Sequence, residues 1–173
     1  APTTKSITHT QARRQACEAG ARVATLPGVT EEMMCKGGMM ADYEEIRKKA
    51  EELLEILQGC EEAVVKSRSG TDLTLDLSGR KWFADIGICE KPGDFTNLPA
   101  GEVYIAPRDA YGMLVIDGAL SGLGLLRSPI RIKVEKGRAV SFEGEQAEKL
   151  EEMLAVAGDA ARNIAELGIG INP

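Results

Sequence analysis

Three observations predict an α+β fold. The first third has helical periodicity, alternation with a period of two begins at residue 61, and one more helical pattern lies near the end. The expected architecture is a mostly antiparallel β-sheet with flanking helices, because several connections are too short for parallel crossovers. Residues 1–60 should form a mostly helical N-terminal part and 61–173 a β-rich part, together one compact unit. The chain opens on Ala1-Pro2 and stops at Asn172-Pro173, which reads as a piece of something longer.

The elements follow from local chemistry. Thr8 to Ala19 has the composition of a short helix closed by Gly20, and Val23–Gly28 reads as a strand running into a turn. Thr30 can cap a short helix whose first turn carries Glu31 and Glu32, where the helix dipole favours acids. Asp42 and Glu45 resemble a capping box, and Ile46, Ala50, Leu53, Leu54 and Leu57 mark one helical face before Gly59 ends it. Ala63–Ser67 and Asp72–Leu77 flank Ser69-Gly70 as a hairpin. In the turn itself, Thr71 and Asp72 should bond locally. Val103–Ala106 and Met113–Ile116 are short strands. Ile130–Phe142 is a second hairpin turning at Lys136-Gly137, with Ile130, Ile132 and Val134 on one face. A last helix spans about Gln146 to Ala157, with Leu150, Met153, Leu154 and Ala157 inward.

Composition narrows the function classes. Apolar residues make up 43% and aromatics only 4%, so the core rests on Leu, Ile, Val, Ala and Met. A net charge of −6, with no basic run longer than Arg47-Lys48-Lys49, argues against a nucleic-acid binder working by phosphate neutralisation. Cys17, Cys35, Cys60 and Cys89 form no CxxC pair, and His9 is the single histidine. Zinc-ribbon spacing is therefore absent, and the thiols read as reduced, in a cytoplasmic chain. No apolar run approaches the roughly 20 residues of a membrane span. No signal segment opens the sequence, and without a GxSxG elbow a serine hydrolase is rejected.

Two phrases could carry chemistry. In Asn97–Pro107, NLPAGEVYIAP, the segment Leu98-Pro99-Ala100-Gly101 suits a type I turn, and Glu102 heads the strand after it. A strand head beside a proline-stiffened turn is a rigid platform for a metal ligand or general base. The plain alternative is a carboxylate facing water at a strand end. In Ala165–Pro173, AELGIGINP, Glu166 precedes glycines that let backbone approach a carboxylate or ligand closely. A glycine-rich turn at a domain edge is the alternative there. The spacing is far from a phosphate-binding loop.

THTQARRQACEAGARVATLPGVTEEM, GTDLTLDLSGR, GDFTNLPAGEVYIAP and ARNIAELGIGINP, in this order, resemble the thermophilic-type metallo-aminopeptidases, the aminopeptidase T and aminopeptidase S group often labelled leucyl aminopeptidase. The resemblance implies part of a larger two-domain peptidase that removes N-terminal residues from peptides, a homodimer in its intact form, with two divalent ions drawn from zinc, cobalt, manganese or magnesium. It maps metal ligands onto Glu102 and Glu166 and leaves the catalytic base unassigned. The group's histidine and aspartate ligands lie downstream of the second phrase, so this chain alone would hold half a metal site and little activity. Two further readings stay open. One is a non-peptidase relative on the same scaffold, a mononuclear iron ring-cleaving dioxygenase acting on dihydroxypyridines; the other is a non-catalytic binding or assembly module. The dioxygenases use one iron, so two retained acids favour the two-metal reading.

Overall fold

Asp42 opens the longest helix, Tyr43–Leu57, by accepting from the backbone N–H of Glu44 at 3.0 Å and of Glu45 at 3.2 Å. Those donors have no intrahelical partner, so a carboxylate at this position fixes where the helix starts. Ile46 and Ala50 are each 1% exposed, and Leu53, Leu54 and Leu57 are half-buried on the same face. The other caps work in the same way. Thr10 accepts from Arg13 N before the helix Gln11–Glu18, and Thr30 accepts from Met33 N before Glu31–Cys35.

The computed structural model describes residues 1–173. Its fold class is α+β, with four helices and antiparallel sheets, as the periodicities predict. The chain divides into two units. One comprises Ala1–Gln58, Trp82–Tyr104 and Gly168–Pro173, the other Gly59–Lys81 and Ile105–Leu167. No helix is long and apolar enough to cross a membrane, and the four cysteines are free.

The second unit is built on a five-stranded antiparallel sheet. In spatial order its strands are Arg138–Glu143, Ile130–Glu135, Asp109–Ile116, Asp72–Asp76 and Glu62–Lys66. Ile130, Ile132 and Val134 are buried while Arg131, Lys133 and Glu135 are exposed, the alternation expected of a sheet covered on one face. Lys136 and Gly137 both take positive φ, which gives the two-residue turn the twist its strands require. The helix Ala147–Ala157 buries Ala147 and Leu150, whereas Ala157, expected inward, is exposed. Thr71 does more than bond locally. Its hydroxyl donates to Val115 O at 3.2 Å and accepts from Val115 N at 3.0 Å, tying the hairpin to the central strand.

The first unit contains two small sheets. In one, Pro2–Thr3, Val23–Pro27 and Phe95–Asn97 run parallel. This small sheet is the parallel exception in a mostly antiparallel fold, and its partners are strands of two to five residues far apart in sequence. The other sheet joins Leu167–Gly170, Glu102–Ile105 and Phe83–Asp85. There Phe83 lies opposite Tyr104 with ring centroids 5.8 Å apart, and Asp85 lies opposite Glu102. The Leu98–Pro99 peptide in the turn before Glu102 is cis.

The loop leading into Phe95–Asn97 is closed by Asp94, whose Oδ2 accepts from Lys91 N at 2.7 Å and Glu90 N at 2.8 Å. The Lys91 bond, ahead of the Glu90 bond, holds the Asp94 carboxyl below its ordinary value of 3.8. A depressed folded-state pKa stabilises the fold above the unfolded value and loses that contribution as pH falls through the folded one. Asp94→Ala is therefore expected to lower the thermal midpoint near neutral pH, with the gap to the parent chain closing as the pH drops below 3.8. Melting curves across that range test it.

Candidate functional site

A cavity of about 490 Å³ opens in the first unit, lined by Asp85, Asn97, Pro99 to Glu102, Gly38, Gly170, Asn172 and Pro173. Its volume lies within the range of small-molecule sites. Four strands contribute to it, Leu167–Gly170 through Gly170. Phe83–Asp85 brings Asp85 at its end, Phe95–Asn97 brings Asn97 at its end, and Glu102 starts the strand after the Pro99 turn. The turn thus delivers both the end of one strand and the head of the next to one wall.

Asp85 and Glu102 are register partners on adjacent antiparallel strands. Side chains so paired share a face about 5 Å apart, and two like charges there repel unless other groups compensate. The structure compensates at Asp85. Its Oδ2 accepts from Asn97 N at 3.1 Å, and its Oδ1 accepts from the Thr96 hydroxyl and from Gly87 N at 3.4 Å. Thr96 is 2% exposed, so this donor works where water cannot replace it.

Asn97 is fixed from behind. Its Oδ1 accepts from the Thr25 hydroxyl and from the Thr8 hydroxyl at 2.9 Å, and the two threonines lie 3.0 Å apart. Thr25 and Asn97 are register partners in the parallel sheet, which is why their side chains meet. Asn172 closes the opposite side. Its Nδ2 donates to Ala100 O at 2.6 Å and Gly38 O at 3.1 Å. Both partners are carbonyls, so the amide can take only this orientation. Its Oδ1 is left buried without a partner.

One glycine in each phrase, Gly101 and Gly168, permits close approach. A Cβ on Gly101 would stand 2.7 Å from Asn172 Cβ, and one on Gly168 would stand 2.8 Å from Glu102 Oε2. The glycine-rich phrase therefore does let backbone come up against a carboxylate, and that carboxylate is Glu102. Glu166 is exposed, in the coil before Leu167–Gly170, and is not among the residues lining the cavity. His9 is likewise exposed and outside the lining.

Sequence reasoning missed Asp85, Asn97 as a side chain, and Asn172. Asp85 sits in a three-residue strand with no periodicity to read, and its pairing with Glu102 appears only in the sheet. The two asparagines stand within the singled-out phrases, and the signal available was their position at the edges of glycine and proline turns.

The side chains around the cavity do not assemble a metal centre. No group of three or more His, Cys, Asp and Glu side chains that could hold an ion is assembled. The cavity supplies two carboxylates, of which Asp85 is already taken by three donors, and no imidazole. Non-haem iron in oxygenases ordinarily takes two histidines and a carboxylate, and zinc also favours imidazole. The residues of this cavity do not by themselves fit either ion.

A family model described as NicX, 2,5-dihydroxypyridine 5,6-dioxygenase, matches residues 3–173. Among solved structures the chain is similar to the 2,5-dihydroxypyridine dioxygenase of Pseudomonas putida KT2440. Identity is 22% and the TM-score 0.79, over 98% of this chain and 50% of that one. It is also similar to wild-type AmpT from Thermus thermophilus, at 16% identity and a TM-score of 0.57, over 92% of this chain and 58% of that one. No curated protein matches it. The chain spans about half the length of the solved dioxygenase.

These findings overturn the aminopeptidase assignment, and with it the hydrolase and protease reading. The family model covers nearly the whole chain and describes a dioxygenase, and the likeness to AmpT is the weaker of the two. The physical reason lies in what the shared phrases do. Gly101, Gly168 and Asn172 serve the packing of turn, strand and tail around Glu102, so they report a scaffold and not the reaction carried out on it.

Gly168 has no positive φ, so alanine meets only the Glu102 carboxylate there. Gly168→Ala is expected to cost about 1 kcal/mol by overpacking. In a Glu102→Ala background the same change should cost nothing further. Denaturant unfolding of the four proteins checks this.

Proposed function

The chain belongs to the NicX family of 2,5-dihydroxypyridine 5,6-dioxygenases, and from this premise we propose that it serves the oxygenative ring opening of a hydroxylated pyridine. The observation that carries the reading is the family match over residues 3–173, on a chain whose cavity collects Glu102, Asp85 and Asn97 at three strand ends. A planar six-membered ring with hydroxyl substituents suits a cavity of about 490 Å³ that mixes polar side chains with Pro99 and Ala100.

In the reaction that the family's name describes, the bond between ring carbons 5 and 6 breaks. One atom of dioxygen ends on each carbon. The ring supplies all four electrons that dioxygen accepts, so no external reductant enters. The chain's own contribution begins with binding and proton handling. Glu102 is half-buried at a rigid strand head, where its carboxylate can accept the proton of a ring hydroxyl and raise the electron density of the ring. Asp85 accepts hydrogen bonds from Thr96, Asn97 and Gly87, which fix its carboxylate in place beside Glu102.

A redox-active metal is part of this proposal, since closed-shell rings react slowly with dioxygen unaided. Glu102 is offered as one carboxylate donor and Glu166 as a second, exposed one. The missing imidazoles mean that the donors of this cavity do not complete a centre, and no step here is routed through one.

The intact gene product, supplied with ferrous iron and 2,5-dihydroxypyridine, should consume one dioxygen per ring lost. Glu102→Gln should lower kcat/KM by roughly a hundredfold or more, the scale of general-base contributions. Oxygen electrode traces and the loss of ring absorbance measure both. Hydrolysis of leucine anilide to leucine and aniline with no oxygen uptake would overturn the proposal.

A further inference from the structure

The Asn97 carboxamide is held from behind by two buried threonines. Thr25 and Thr8 are 0% and 4% exposed, and both hydroxyls donate to Asn97 Oδ1. The direction of this chain is set upstream, where the Ser6 hydroxyl donates to Thr8 Oγ1 at 2.9 Å and leaves the Thr8 proton to point onward. Turning the amide over would set N–H groups against both hydroxyl oxygens. One threonine could then donate to the other across 3.0 Å, but the second buried hydroxyl would lose its acceptor, at a cost of about 1 kcal/mol. The oxygen edge therefore faces the threonines. The Nδ2 edge makes no hydrogen bond within the protein, and Asn97 lines the cavity.

A locked amide donor, with acidic Glu102 and Asp85 on the same wall, is an unusual choice unless something with an acceptor oxygen must bind there. Two carboxylates can accept from a ring hydroxyl but offer no donor to a ring oxygen that needs one. We propose that Asn97 is the specificity-determining residue of this cavity, its Nδ2 donating to a ring-borne oxygen of the bound ligand. That oxygen is the keto oxygen of a pyridone or the oxygen of a ring hydroxyl. Thr8 and Thr25 act as positioning residues that present this donor. The inference rests on the ring-opening reading of the site and deepens it by naming what reads the substrate.

Asn97→Asp is a near-isosteric test. Both threonine hydroxyls keep an acceptor, while the cavity-facing donor becomes an oxygen. Binding is measured by difference absorbance with 2,5-dihydroxypyridine and with two analogues, 2-amino-5-hydroxypyridine and 5-amino-2-hydroxypyridine, in which one oxygen is replaced by a donor. The parent protein should prefer the dihydroxy compound. Asn97→Asp should bind it about tenfold to a hundredfold more weakly, the span of one or two lost hydrogen bonds. The same variant should bind one amino analogue better than the parent does, a reversal that mere loosening of the fold cannot produce. Thr8→Val, which leaves the cavity lining untouched, should weaken binding of all three compounds a few-fold and keep the parent's order of preference. It also tests the idea should the first variant not fold. Equal affinity of Asn97→Asp and parent for the dihydroxy compound, within about twofold, would overturn the inference and leave the ring-opening reading standing. Absence of any binding by the folded parent protein would remove both.

Discussion

Thr8, Thr25 and Thr96, three hydroxyl side chains shut away from water, hold the cavity together by donating to one amide and one carboxylate. A buried hydroxyl needs a partner, and a buried network with every member satisfied resists deformation because each broken bond exposes an uncompensated group. The parallel pairing of Val23–Pro27 with Phe95–Asn97 brings Thr25 to Asn97. The antiparallel pairing of Phe83–Asp85 with Glu102–Ile105 brings Asp85 to Glu102. Asn97 joins the two sheets, since its side chain belongs to the threonines and its backbone N–H to Asp85. Glu102 stands at the end of this sequence of constraints.

The tail of the unit completes the wall by a different device. Asn172 spans two carbonyls, of Ala100 and Gly38, and the absence of side chains at Gly101 and Gly168 lets the tail lie against the turn and against Glu102. This division of labour explains why the glutamate phrases resemble those of metallo-aminopeptidases although the chain is a member of a dioxygenase family. Turn, glycine and asparagine chemistry is fixed by the need to seat a carboxylate at a strand head. What that carboxylate then meets is decided by other residues.

Elements whose signal is local were legible in the sequence. The helix Tyr43–Leu57 announced its start through Asp42 and its buried face through Ile46 and Ala50. The hairpin Ile130–Glu135 to Arg138–Glu143 announced its buried face through Ile130, Ile132 and Val134 and its turn through Lys136-Gly137, though not the register shift between Lys133 and Val134. The strands Pro2–Thr3, Phe83–Asp85, Phe95–Asn97 and Leu167–Gly170 were not legible, because two to four residues carry no measurable period and their partners are distant. The candidate site is made from those strands. Glu102 could therefore be singled out as a platform residue, while its neighbour Asp85 and the threonine lock behind Asn97 could not.

The central claim is that Thr25 and Asn97 act as one unit in shaping the cavity. A double-mutant cycle on stability, using Thr25→Val, Asn97→Ala and the pair together, measures their coupling directly. A shared buried hydrogen bond predicts a coupling of about 1 kcal/mol or more, with the double variant little worse than the more damaging single one. Losses that simply add, to within about 0.3 kcal/mol, would contradict the account.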